Sequence, residues 1–234
     1  MEESNQSHWI PLSDLMTGMM LVFMLIAIVY MVRIQQAATD LRDIKGEIYR
    51  ALDKEFSKDL KKWDAEITPQ LTVRFRNPDT LYQVGKDKMS ATGREIIDDF
   101  IPRYLRIVTD KAFSSSIKEI VIASHTSPEF KVCDDTDVEK LPVDDETKTY
   151  MCNMTLSVNR AWWALEEFLR INQNTPFRPF VLKNIHLLSL ASSDPIMKDD
   201  GVSIDEGKSR RVEFKIITNA DDRLEEIAVR LSKR

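Results

Sequence analysis

Asp14 stands directly before LMTGMMLVFMLIAIVYMV (15–32), 18 residues without a charge. A carboxylate at that position costs on the order of 1–3 kcal/mol, depending on depth. Two chemistries fit it. Ser13 or Asp14 can cap a helix from the headgroup layer. Alternatively, Asp14 can bind and release a cation, because a carboxylate neutralised by H+ or Na+ can cross an apolar interface. The second chemistry requires partner subunits, since one helix cannot bury the group alone. Thr17, one turn on, is then its hydrogen-bonding neighbour. Elsewhere the candidates for chemistry are few. Ser124, His125 and Ser127 crowd one strand end, which is not how a nucleophile and its base converge. His8 and His186 stand alone, and there is no glycine-rich phosphate loop. The chain does not read as an enzyme, and no cofactor or metal site is expected.

The elements follow from charge and periodicity. Residues 1–32 hold Glu2, Glu3 and Asp14 but no Lys or Arg, and six of the ten methionines. At 1.5 Å per residue the 15–32 run spans about 27 Å, close to the hydrocarbon core of a bilayer. It reads as one transmembrane helix following a short N-terminal segment, 1–14. A cleavable signal would need a positive n-region and a shorter apolar run. Arg33, Arg42, Lys45 and Arg50 all follow the helix, which by charge alone puts the N-terminus outside. Residues 33–68 read as a helical connector. Ile34, Ala37, Leu41, Ile44, Ile48 and Ala51 form a short heptad seam, and Leu52, Phe56, Leu60 and Trp63 continue the helical spacing. The seam either pairs two copies or lies on its own domain.

Residues 69–234 suffice for one core. Strands are expected at 71–76, 119–124, 184–191 and 211–218, and helices at 90–109, 155–171 and 222–233. The order β-α-β-α-β-β-α predicts a small α+β sandwich. An acidic insertion covers 128–152, with Glu129, Asp134, Asp135, Asp137, Glu139, Asp144, Asp145 and Glu146 inside it. Its spacing is not that of a calcium loop, and it reads as a solvated loop. Cys133 and Cys152 bracket this stretch. Such a pair points to a disulfide in an oxidising compartment, worth around 3 kcal/mol; free buried thiols are the other reading. With 33 basic against 38 acidic residues, no nucleic-acid partner is expected.

Three segments resemble the OmpA-like peptidoglycan-binding family. IVIASHTS (120–127) is similar to its strand ending in G-H-T-D. Asn153 with LSVNRA (156–161) is similar to N-x-x-L-S-x-x-R-A. KSRRVEF (208–214) is similar to N-R-R-V-E-I, and LASSDPI (190–196) loosely resembles its G-x-G-x-x-x-P loop. Trp9, Asp14 and MTGMM (16–20) resemble the W…D-x-M-T-x-M-M segment of flagellar stator B subunits, whose architecture is one helix, a connector and an OmpA-like domain.

The resemblance implies an inner-membrane, single-pass subunit with a cytoplasmic N-terminus and a periplasmic domain. It implies a homodimer inside a five-subunit MotA-like ring, with Asp14 carrying the coupling ion, H+ or Na+, and Thr17 beside it. For the domain it implies a grip on the peptide stem of peptidoglycan. Arg160 takes a stem carboxylate, Asn153 and Leu156 line the pocket, and Arg211 is the second family arginine. Thr126 and Ser127 occupy the T-D positions of G-H-T-D, and Ser127 brings no charge where the family has Asp. An acid from the insertion is the expected substitute. A passive membrane-to-wall tether and a conventional flagellar stator subunit are the alternatives.

Overall fold

A computed structural model of the chain describes residues 9–76, 81, 82, 86–128, 138 and 140–219. The chain divides into two compact units, Met1–Ile44 and Lys45–Arg234. Helix α1, Trp9–Leu60, contributes to both. In the first unit its stretch Leu12–Gln36 has a mean hydropathy of 2.5 and is long and apolar enough to cross a membrane. None of that stretch is buried within the chain. A helix that bares Leu15, Met16, Met20 and Phe23 in this way needs lipid or other apolar helices around it.

The second unit is built on a mixed five-stranded sheet. Its strands are β1 (Ala65–Ile67), β2 (Thr72–Phe75), β3 (Ile117–His125), β4 (Ile185–Ala191) and β5 (Arg211–Thr218). They lie in the order β1-β2-β5-β3-β4. Only β3 and β4 run parallel, so their connection must cross over the sheet. Helices α3 (Asp145–Ile171) and α4 (Arg178–Asn184) supply that crossover. Helix α2 (Ala91–Val108) precedes β3 and is capped by Ser90, whose Oγ accepts the Gly93 N–H at 2.9 Å. The α+β fold expected from the sequence is the fold found.

The core lies between α2, α3 and one sheet face. Ile96, Ile97, Phe100, Leu105 and Val108 are all buried, as their spacing predicted. Phe100 is the hub: its ring lies 5.2 Å from Phe56, 5.6 Å from Phe75 and 5.2 Å from Phe214. Gly93 packs so tightly against Leu81 that a Cβ there would sit 2.1 Å from the Leu81 carbonyl oxygen. Arg103 lies over the Phe56 ring and reaches Glu55, Asp59 and Asp99, fastening α2 to the end of α1.

Several boundaries differ from expectation. The connector helix stops at Leu60, and 65–67 forms β1, paired with β2. Asp64 adopts a left-handed φ of 48° at the turn. Ile48, Leu52, Phe56 and Trp63 belong to the domain's own core, so the lower end of the heptad seam is spent inside the domain. Helix α3 starts at Asp145, ten residues before the expected Thr155, so 145–152 is helix and not loop. The reason is local: Asp144 caps it, accepting the Thr147 N–H at 2.8 Å, and Asp145 and Glu146 suit a first turn. Those hydrogen bonds, backbone first, lower the Asp144 pKa. The expected helix 222–233 lies outside the described residues.

Candidate functional site

Two places gather the candidate residues. The first is the face of α1 formed by Asp14, Leu15, Gly18, Met19, Val22 and Phe23, which line a shallow groove along the helix. Helix α1 already includes Trp9, so Asp14 stands inside the helix and not at its cap. The Asp14 side chain is exposed and, among the described residues, has no side-chain partner. The Thr17 hydroxyl donates to the Ser13 carbonyl at 2.8 Å and not to Asp14. Its lone pairs stay available to a donor.

The second place is the C-terminal end of β3. Ser124, His125, Thr126 and Ser127 are all buried there. Ser157 of α3 ties the region together: its hydroxyl bonds the Ser124 carbonyl at 2.8 Å and the Ser189 hydroxyl at 2.7 Å, and accepts the Ala191 N–H at 3.3 Å. The hydroxyls of Ser124, Thr126 and Ser127 have no hydrogen-bond partner among the described residues. Asn153 and Leu156 are buried on the same helix, and Asn153 donates to the Thr149 carbonyl at 3.0 Å.

Both arginines are buried. Arg160 is 2% exposed; its Nε donates to the Lys86 carbonyl at 3.1 Å and its guanidinium lies 5.3 Å from the Tyr82 ring centre. The Tyr82 hydroxyl donates to the Arg160 carbonyl at 2.7 Å, and burial raises its pKa above the ordinary value. Arg211 binds Asp194 and Glu213, each at 2.7 Å, along with two carbonyls. Glu213 also takes Arg74 at 2.7 Å, and His125 lies 3.8 Å from both Glu213 and Asp194. Burial works to raise the Glu213 pKa, but the hydrogen bonds and charges of Arg211 and Arg74, with His125 close by, outweigh it, and the carboxyl is held well below the usual range. Arg211 thus locks the sheet to the 192–205 loop.

Next to this cluster a groove opens between Pro128, Ser192 and the first turns of α3, lined by Asp145, Glu146, Thr149 and Tyr150. Sequence reasoning placed its acids in a loop. The spacing of Asp145, Glu146, Thr149 and Tyr150 was the available sign of a helical wall. Cys152 is buried on α3, and no free cysteine occurs among the described residues. Cys133, its expected partner, lies outside them, as do Glu129, Asp134, Asp135, Asp137 and Glu139.

The class is defined by its two parts: one helix, among the described residues, that is long and apolar enough to cross a membrane and bears a carboxylate, and an α+β domain on a mixed sheet. No family model matches the chain. It is 34% identical to the Zorya protein ZorB of Escherichia coli, over 97% of this chain and 94% of that one. Among solved structures it is similar to a MotB-like protein from Desulfovibrio vulgaris, at 16% identity over 76% of this chain and 94% of that one, with a TM-score of 0.49. It is also similar to the periplasmic domain of Helicobacter pylori MotB, at 17% identity, over 69% of this chain and 84% of that one, with a TM-score of 0.40. The chain belongs to the ZorB family of Zorya proteins.

Proposed function

We propose that this chain is the cell-wall-anchored stator subunit of an ion-driven rotary motor of the inner membrane, serving anti-phage defence. Two copies stand inside a five-subunit MotA-like (ZorA-like) ring, pairing through Ile34, Ala37, Leu41 and Ile44. The N-terminus is cytoplasmic and the domain periplasmic. The observation that carries the reading is Asp14, a carboxylate inside a bare apolar helix with no partner of its own among the described residues. Asp14 binds and releases H+ or Na+ against the ring; Thr17, one turn on, donates to the Ser13 carbonyl and keeps lone pairs that a protonated Asp14 can reach as a donor. About 2.3 kcal/mol per charge per 100 mV drives the cycle.

The domain holds the peptidoglycan stem. Thr126, Ser127, Asn153, Leu156 and Arg160 are the residues this reading assigns to the stem, and Arg211 braces the strand end beside them. Asp145 and Glu146 at the neighbouring groove supply the negative charge that Ser127 lacks. A Cys133–Cys152 disulfide secures the segment between them; mass spectrometry of non-reduced peptides should recover the linked pair, and two free thiols would refute it.

The test is a deletion strain assayed for phage plating and for motility side by side. Loss of protection with intact motility is the expected result. Loss of motility alone makes it a flagellar stator subunit. In a pull-down, purified sacculi should retain the wild-type chain, and retention should fall in the Arg160→Ala chain, provided its melting temperature is unchanged.

A further inference from the structure

The two edges of the sheet are built differently. At one edge β1 is three residues long, and its central Glu66 is held by Arg74 at 3.0 Å and Arg76 at 3.7 Å. Short, charged edges are how sheets avoid pairing with other chains. At the other edge β4 runs seven residues, IHLLSLA, with no Lys, Arg, Asp, Glu or Pro. Leu187 and Leu188 are 36% and 43% exposed. Helix α3 reaches this edge through Met154, whose sulfur is 3.1 Å from Ser189 Oγ. By helical spacing Val158 and Trp162 share that flank, and they are 46% and 59% exposed. The opposite flank is the one engaged with α2, through the Glu167–Arg94 pair at 3.0 Å. Among the described residues, therefore, an unguarded strand and an apolar helix flank lie side by side.

We propose that β4 is where the domains of two copies join, edge to edge and antiparallel about a two-fold axis. This rests on the two-copy reading above and adds the surface through which the domains meet. A second copy is the occupant because an isologous contact needs a self-complementary patch, and β4 is one. β4 carries no Lys, Arg, Asp or Glu to oppose its copy, and its one titratable side chain, His186, lies 3.5 Å from Glu119 of the same domain. Antiparallel mating sets the exposed Lys183 end of one copy against the exposed Asp194 end of the other. Chains held in one membrane assembly meet at high effective concentration, which compensates for a short pairing.

Photo-crosslinking of the full chain in membranes, with the neighbouring operon proteins present, tests it. p-Benzoylphenylalanine is placed at Leu188, Ile34 or Glu66, one at a time. The expected result is a homodimer adduct from Leu188 and from Ile34, none from Glu66, and loss of the Leu188 adduct alone when Leu187→Lys is added. An Ile34 adduct without a Leu188 adduct overturns the edge pairing and leaves the two-copy reading standing. No adduct from either position overturns both. An adduct from Leu188 to a different protein overturns the proposal by giving the edge to another partner.

Discussion

Glu213 and Asp14 both place a carboxylate in apolar surroundings, and they meet the cost in opposite ways. Glu213 is buried in the domain and bonded by Arg74 and Arg211, which hold it ionised. Asp14 stands on an apolar helix with no such set among the described residues. The domain completes its own electrostatics. The helix leaves its charge to be met from outside, by an ion or by another chain. A buried carboxylate with fixed partners stabilises; one without them is free to change its charge state.

The domain side of this contrast breaks first and hardest. Arg211→Ala leaves Glu213 and Asp194 short of a partner and should cost about 3–5 kcal/mol in denaturant unfolding. The double change Arg211→Met with Glu213→Leu should cost less than the sum of the two single changes. If Arg211→Ala unfolds with the wild-type midpoint, the network is not what closes the domain. Gly93→Ala should cost about 1–3 kcal/mol, because the new methyl meets the Leu81 backbone and not a movable side chain.

The pH dependence sharpens the comparison. The folded Glu213 carboxyl titrates below its ordinary value of 4.5, so its stabilisation is complete above that value and is lost as pH falls below it. Glu213→Gln should therefore flatten the loss of stability on acidification below pH 4.5, measured by thermal melting across pH. An acid limb as steep as that of wild type would remove Glu213 from the account. On the other side, Asp14→Asn should leave the domain's unfolding midpoint within about 0.5 kcal/mol of wild type, because nothing in the fold leans on it.

The same contrast explains what could be read from the sequence. Asp14 was legible because a single charge interrupts an apolar run. The helix at 91–108 and strands β2 to β5 were legible because their apolar positions keep a clean period. Strand β1 was not: three residues with Glu66 outward carry no pattern, and only pairing with β2 makes them a strand. The first ten residues of α3 were hidden because Asp144, Asp145 and Glu146 look like loop acids until Asp144 is seen capping Thr147. Ile48, Leu52 and Phe56 kept a helical period, but only the fold shows that they face the domain's own core. The groove at Pro128 and Ser192 joins residues more than 60 positions apart, which no local spacing reports.

The most direct measurement is phage plating efficiency for Asp14→Asn against wild type, with the neighbouring operon proteins present and membrane expression matched. The account predicts loss of protection with the domain's stability unchanged. Full protection by the Asn variant would contradict it, and would leave Asp14 a passive feature of a membrane-to-wall tether.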